Sequence, residues 1–326
     1  MHNLPVVSDL HARFPEATID WVVEEGFADI PRLHPAVARV IPVALRRWRK
    51  SPLSLATWRE IADFRRDLRL SAYDLVLDTQ GLIKSGLIVS QVRLSSGGCR
   101  AGYSREAARE SLAARFYDAG FAIPKSAHAV DRNRWLAAAA CGFAPGRPLD
   151  YGICAAPLLA DWLPAARYAV LLTASSRADK EWPGSCWPQL AAALAKLGLR
   201  SVLPAGTAGE RETAACLAAA MEGAIVAPPL TISELAGLCA GASLVVGVDT
   251  GLTHLAAALG VPTLALFAAS DPALTGVYSG AYGDGKVGNL GGKGRPPAAQ
   301  EVIAAATGLL VPQNQLRALA PSGAQA

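Results

Sequence analysis

The sequence predicts a two-domain α/β protein built on parallel sheets. Three observations predict it. The second half alternates short apolar runs with stretches of helical spacing several times over, and the first half does so less regularly. Between the halves, Phe143-Ala144-Pro145-Gly146-Arg147-Pro148 has the composition of a linker. The 326 residues also suit about two domains of ordinary size, and 52% hydrophobic with 18% charged residues excludes disorder as the main state.

The elements follow in order. His2 to Leu10 reads as a helix. Thr18–Val23, Val40–Val43 and Leu75–Asp78 read as strands, the last followed by the loop Thr79-Gln80-Gly81, and Ala107–Tyr117 reads as a helix. The boundary is expected near residues 145 to 165, giving a first domain over 1–150 and a second over 151–312. In the second, the strands are Tyr168–Leu172, Arg200–Pro204, Ala224–Val226, Leu244–Val248 and Thr263–Phe267. The helices are Trp187–Leu197, Glu210–Met221, Thr231–Ala240 and Leu252–Leu259. Thr231 with Glu234 makes a capping box for the third of these. Strands and helices alternating at these lengths make a doubly wound α/β domain with both sheet faces covered. The small, polar tail over 313–326 is expected to be disordered.

Several function classes are disfavoured. A net charge of +4, from 31 basic and 27 acidic residues, is too mild to argue for nucleic acid. The six cysteines (99, 141, 154, 186, 216, 239) form no C-x-x-C pair or zinc spacing and read as small buried hydrophobes in a reducing cytosol. His2, His11, His34, His128 and His254 are far apart, so no metal cluster has local support. No dinucleotide glycine fingerprint follows a first strand, and no Walker A loop, G-x-S-x-G or H-E-x-x-H motif occurs. No secretory leader is visible, and the nearly uncharged stretch from Gly251 to Ser270 is broken by Gly260 and Pro262. A soluble protein is expected.

Ligands in doubly wound sheets bind beyond the carboxyl ends of the strands. Those ends carry Ser175, Ser176, Gly206, Pro229, Leu230, Asp249, Thr250 and Ser270. The run Val248-Asp249-Thr250-Gly251-Leu252-Thr253-His254 follows a buried strand and opens a helix. Free amides there attract anions, Gly251 admits a phosphate close to the backbone, and His254 can donate from the first turn. The alternative is an ordinary N-cap by Asp249 or Thr250. The loop from Thr173 to Pro183 brings hydroxyls and Lys180, which suits a diphosphate or is a solvated loop. Gly206 with Glu210 suits a ribose diol or is a glycine turn whose acid favours the helix dipole. In the first half, Arg32 to Arg69 hold ten basic residues against three acids, densest at Arg46-Arg47-Trp48-Arg49-Lys50. That run suits phosphates, carboxylated sugars or an anionic membrane, or is a solvated basic face.

Four blocks taken together resemble the bacterial lipopolysaccharide heptosyltransferases. They are Asp20-Trp21-Val22-Val23-Glu24-Glu25-Gly26-Phe27, Val40 to Lys50, Asp78-Thr79-Gln80-Gly81-Leu82-Ile83-Lys84-Ser85, and Asp249 to His254. The resemblance runs from Met1 to about Tyr278. It implies the GT-B fold, two Rossmann-like domains facing a central cleft, with the first domain lacking its first strand. It implies a cytoplasmic enzyme, peripheral on an anionic inner-membrane surface. That enzyme would move L-glycero-D-manno-heptose from ADP-heptose to the Kdo of Kdo–lipid A, inverting the anomeric centre. ADP-heptose would be a co-substrate, with no cofactor, no metal and no nucleic-acid partner.

Carried over by motif, Ser175, Ser176 and Lys180 hold the donor diphosphate, Glu210 the ribose, and Leu230 packs near adenine. Asp249, Thr250, Gly251 and His254 meet heptose and phosphates. Arg46, Arg47, Arg49, Lys50 and Arg109 meet the acceptor. Lys180 also stabilises the leaving group. Relatives begin with a strand and a Ser-x-x-Gly-Asp loop whose aspartate is the general base. His2-Asn3-Leu4-Pro5 matches the residues just after it, which places that aspartate upstream of Met1. The expectation is weak or no transfer by this chain and an unstable first domain. A non-catalytic ADP-sugar binder is the second reading and a nucleotide-sugar epimerase the third, the latter disfavoured by the basic patch.

Overall fold

A computed structural model describes residues 1–146, 149–175, 177–279 and 286–310. Ser176, two linker residues (Arg147 and Pro148) and the tail from residue 313 lie outside them. The chain forms two compact units, residues 2–153 and the chain from Cys154 onward.

The first unit runs α1 (Leu4–Arg13), β1 (Ile19–Glu24), α2 (Asp29–Arg32), β2 (Val37–Val43), α3 (Leu45–Trp48), α4 (Leu55–Leu68), β3 (Tyr73–Asp78), α5 (Ile83–Val89), β4 (Leu94–Tyr103), β5 (Ala119–Phe121) and α6 (Ala129–Cys141). Its strands are all parallel, but they fall into two sheets, β1–β2 and β3–β4–β5. A three-residue knot ties the two: Arg39 and the Tyr73 hydroxyl both donate to Asp20 Oδ2, at 2.8 and 2.5 Å. Helix α4 turns Thr57, Phe64 and Leu68 inward, a spacing of seven and four residues that keeps one face buried. Helices α1 and α6 are clamped by Asp9 and Arg134, a bidentate pair at 2.7 and 2.9 Å with side chains 8% and 9% exposed. Arg134 also donates to Gly146 O, so the buried charges keep their hydrogen bonds.

One expected element differs. Of the helix expected over Ala107–Tyr117, only Ser111–Phe116 is helical, as a 3₁₀ turn. Upstream of it, the Glu110 amide donates to Gly81 O and Ala107 O accepts from Arg132. Those two backbone groups are thereby withdrawn from a helical ladder.

The second unit runs β6 (Tyr168–Leu172), α7 (Cys186–Lys196), β7 (Arg200–Leu203), α8 (Ala208–Ala219), β8 (Ile225–Val226), α9 (Ile232–Ala240), β9 (Leu244–Val248), α10 (Gly251–Ala258), β10 (Thr263–Phe267), α11 (Pro272–Thr275), β11 (Val287–Gly291) and α12 (Ala299–Leu310). Its strands make one parallel sheet in the order β11-β10-β9-β6-β7-β8. Alternate residues serve two cores. Leu171, Val246 and Leu264 meet Trp187, Leu190 and Leu194 of α7 and Val302 of α12. Val170, Val202 and Val245 meet Leu238 of α9 and Ala256 of α10. Burial on both faces is why these strands read as unbroken apolar runs.

Gly251 to Ser270 folds as α10 and β10 with the turn after β10, and no helix among the described residues is long and apolar enough to cross a membrane. The cysteines are free thiols, but only Cys239 is buried; Cys154 and Cys216 are exposed. The expectation of six buried thiols is corrected at those two sites, which lie in a connecting segment and on the outward face of α8.

Candidate functional site

The second unit winds outward from β6 through β7 and β8, then returns to the other side of β6 with β9, β10 and β11. Winding reverses between β6 and β9. At such a switch point the two neighbouring strand-end loops splay apart and leave a crevice. Lys180 comes from the loop after β6, Asp249 from the end of β9 and Ser270 from the loop after β10.

They converge. Lys180 Nζ donates to Asp249 Oδ2 at 2.7 Å, and Ser270 Oγ donates to the same oxygen at 2.5 Å. His254, in the first turn of α10, places Nε2 3.6 Å from Asp249 Oδ1. Burial alone would raise the Asp249 carboxyl. The contacts with His254, Lys180 and Ser270 outweigh it and hold the group well below the usual carboxylate range. Asp249 is therefore an anion.

The N-cap alternative for this run fails. Thr250 occupies the N-cap of α10 without a side-chain cap bond, and the Asp249 carboxylate is turned to Lys180 and Ser270. The Thr253 hydroxyl is buried and donates back to Val248 O at 2.7 Å. The first amides of α10 thus lack a side-chain cap, and a Cβ built on Gly251 would meet nothing within 4 Å. An uncapped helix start with open space at its first residue suits an anion.

Other donor-side expectations separate. Ser175 Oγ accepts from Arg177 N at 3.4 Å, a weak bond within its own loop; Ser176 is outside the described residues. Glu210 makes the capping box of α8, taking Gly206 N at 2.8 Å and Thr207 N at 3.0 Å on one oxygen, Oε2. The glycine-turn and helix-start reading of Glu210 is thus realised there, through Oε2. Leu230 is half-buried against the core that holds Leu238 and Val202.

In the first unit, parallel pairing sets Glu24 opposite Val43. The acidic end of β1 therefore meets the basic run after β2. Glu24, Glu25, Gly26, Phe27, Arg46, Arg47 and Lys50 line a hollow of about 300 Å³. Arg47 is fully engaged, forking onto Glu25 at 3.0 Å and reaching Glu60 at 2.8 Å. Trp48 Nε1 donates to Glu60 from below at 2.8 Å. Arg46 lies 5.6 Å from the Phe27 ring centre, and Arg49 and Lys50 are exposed. The structure thus divides the run: Arg47 braces the wall, Trp48 is buried beneath it, and Arg46, Arg49 and Lys50 face solvent.

Arg109 stands at the end of β3–β4, stitched to the Thr79-Gln80-Gly81 loop. The Glu110 amide donates to Gly81 O at 2.9 Å, and Ile83 N donates to Glu110 Oε2 at 2.7 Å. Gly81 has φ +64°, and a Cβ there would sit 3.2 Å from Arg109 N, so glycine is required. Asp78, 4% exposed, accepts from Gln80 N and from the Tyr117 hydroxyl. Arg132 stacks 4.7 Å from the centre of Tyr103. Burial pushes the Tyr103 phenol up to about 12, so it stays protonated and donates to Asn133 Oδ1.

Ser270 stands among the strand ends where the sequence expects a ligand, and its bond to Asp249 gives it a role that the sequence did not show. Trp182 had no signal: it is 4% exposed, donates to Pro297 O at 2.8 Å and meets Trp187 edge-on, anchoring the loop that carries Lys180. Among the described residues no three His, Cys, Asp or Glu side chains gather as a metal site.

Comparison with known proteins gives the family and the fold of the chain. The model of the family described as Glycosyltransferase family 9 (heptosyltransferase) matches residues 61–295. Lipopolysaccharide heptosyltransferase 1 of Pseudomonas aeruginosa is 45% identical over 282 residues, 85% of this chain and 78% of that one. Its Escherichia coli K12 counterpart is 42% identical over 279 residues, 85% of this chain and 86% of that one. Among solved structures, E. coli heptosyltransferase WaaC with ADP has a TM-score of 0.82 at 38% identity, covering 92% of this chain and 93% of its own. E. coli ADP-heptose LPS heptosyltransferase II, at a TM-score of 0.70 and 22% identity, shares the fold.

Proposed function

This chain belongs to glycosyltransferase family 9, the heptosyltransferases of GT-B fold, and from that premise we propose the reaction it performs in lipopolysaccharide core biosynthesis. It transfers L-glycero-D-manno-heptose from ADP-heptose to the Kdo sugar of Kdo–lipid A, with inversion at the anomeric carbon and without a metal ion. The observation that carries the donor half is the Lys180–Asp249–Ser270 constellation at the switch point, beside the uncapped start of α10.

The diphosphate lies over the α10 amides and Gly251, with Ser175 and Lys180 around it. A lysine has three donors, and Asp249 takes one, so Nζ keeps capacity for phosphate oxygens. Glu210 takes the ribose, Leu230 packs on the adenine, and Asp249, Thr250 and His254 orient heptose hydroxyls. In the displacement, the acceptor hydroxyl oxygen bonds to the anomeric carbon as the bond to the β-phosphate oxygen breaks. The hydroxyl proton leaves to a base, and ADP departs with its electron pair. Lys180 and the helix amides stabilise the charge that builds on ADP. Arg46, Arg49, Lys50 and Arg109 meet acceptor phosphates and carboxylates, and Arg47 holds the wall beside Arg46, Arg49 and Lys50. The enzyme works at the surface of an anionic membrane, where its acceptor lies.

Calorimetry with ADP and ADP-heptose, beside a transfer assay on Kdo–lipid A, tests the reading. Binding of both with heptose transfer supports it. Binding without transfer leaves an ADP-sugar-binding protein, the second reading of the sequence. Absence of ADP binding by a folded chain overturns the donor site.

A further inference from the structure

Helix α4 has an outward face that the proposed reaction does not use. Leu55 and Trp58, three residues apart on that face, are 76% and 60% exposed, and Leu53 in the preceding turn is 93% exposed. A single exposed leucine is ordinary. Three large apolar side chains within six residues form a local apolar tip. Arg46, Arg49 and Lys50 precede the tip, and Arg59, Arg65 and Arg69 follow it. The acids nearby are already paired: Glu60 with Arg47 and Trp48, Asp63 and Asp67 with Arg66. The uncompensated charge around the tip is therefore positive.

We infer that Leu53, Leu55 and Trp58 insert into the interfacial layer of an anionic lipid bilayer, with Arg49, Lys50 and Arg59 among the headgroups. Apolar side chains ringed by long basic ones match such a surface, because stems bury along acyl chains while charged ends stay with phosphates. A folded protein partner fits less well, since a stable interface covers about 800 Å² per partner, and this tip is three side chains wide. The inference deepens the reading of a lipid-linked acceptor and rests on it only for which membrane is met.

The full chain is mixed with phosphatidylcholine vesicles, with and without phosphatidylglycerol, and followed by flotation. The expected result is binding to the anionic vesicles, reduced about tenfold or more by Leu53→Glu with Leu55→Glu. Brominated lipids should quench tryptophan fluorescence, and Trp58→Phe should remove most of the quenching. Both leucines are exposed, so melting temperature and ADP affinity should stay unchanged in the double variant. Vesicle binding that is insensitive to the double substitution, or quenching that survives Trp58→Phe, overturns the inference. So does concentration-dependent self-association that the double substitution abolishes. If ADP fails to bind while vesicle binding follows this pattern, the donor reading falls and the membrane tip stands.

Discussion

Lys180 and Asp249 lie 69 positions apart in sequence and 2.7 Å apart in space. Adjacency of β6 and β9 in the sheet brings them together. The pair pre-organises the crevice: Asp249 holds the Lys180 ammonium in place, and the ammonium helps keep Asp249 ionised. Replacing Lys180 by Ala removes a charge-assisted donor and leaves Asp249, 10% exposed, without its cation. Affinity for ADP is expected to fall about tenfold to a hundredfold, as for loss of a hydrogen bond to a charged group. Calorimetry on Lys180→Ala checks it, and an unchanged dissociation constant would place the diphosphate elsewhere.

The same pair makes stability depend on acid. Asp249 is held below its unfolded value, so its ionised form favours folding while pH stays above that value. The contribution is lost as pH falls through the folded value, which puts the effect below about pH 4. Urea unfolding between neutral pH and pH 3 should show a decline that Asp249→Asn makes shallower. Equal slopes in the two proteins would mean that other carboxylates govern acid unfolding.

Arg47 and Arg49 should behave differently although they are two residues apart. Arg49 is exposed, so Arg49→Ala should raise the acceptor KM, steeply at low salt, and leave ADP affinity unchanged. Arg47 reaches Glu25 and Glu60, so Arg47→Ala and Glu60→Gln should impair acceptor use by the same route, and the double variant should be no worse than either single one. Steady-state kinetics with a Kdo-containing acceptor decides it; additive losses would make Arg47 a direct ligand.

Trp182 offers a stability test that also reports on the site. Its indole is buried against Trp187 and donates to Pro297 O. Trp182→Ala should cost about 3–5 kcal/mol in urea unfolding. Trp182→Phe keeps most of the apolar contact and loses the hydrogen bond, at about 1–3 kcal/mol. Because the loop it anchors carries Lys180, the Phe variant should also bind ADP more weakly.

Legibility followed burial. Tyr168–Leu172, Leu244–Val248 and Thr263–Phe267 have the bounds that their sequence predicts, because each is buried on both faces and reads as one apolar run. Strand β4, Leu-Ser-Ser-Gly-Gly-Cys-Arg-Ala-Gly-Tyr, gave no such signal. Its glycines are there for close approach: a Cβ on Gly98 would lie 2.6 Å from Tyr73 O, and one on Gly102 2.3 Å from the Tyr117 ring. The Asp249 to His254 run was readable as a strand end opening a helix. Lys180 was readable as a diphosphate-binding loop residue but not as the partner of Asp249, since sheet order, not spacing, joins them. The brace of Arg47 by Glu25 and Glu60 was likewise hidden, because it depends on β1 pairing with β2 and on the face α4 turns to them.

Gly251 separates fold from function most cleanly. It opens α10 with no positive φ, and a Cβ there would meet nothing within 4 Å. The fold therefore does not require glycine, and Ala at a helix position is better than Gly by about 0.8–1 kcal/mol at most. Gly251→Ala should melt at the same temperature or slightly higher. If the residue is glycine so that a phosphate can approach the α10 amides, then Gly251→Ala should weaken ADP binding, and Gly251→Val should weaken it further without unfolding the protein. Calorimetry and thermal melting on the two variants read the two effects independently. Loss of stability in step with loss of binding would return Gly251 to a structural role. Unchanged binding in both would remove the helix start from the donor site and leave Lys180 and Asp249 to carry it alone.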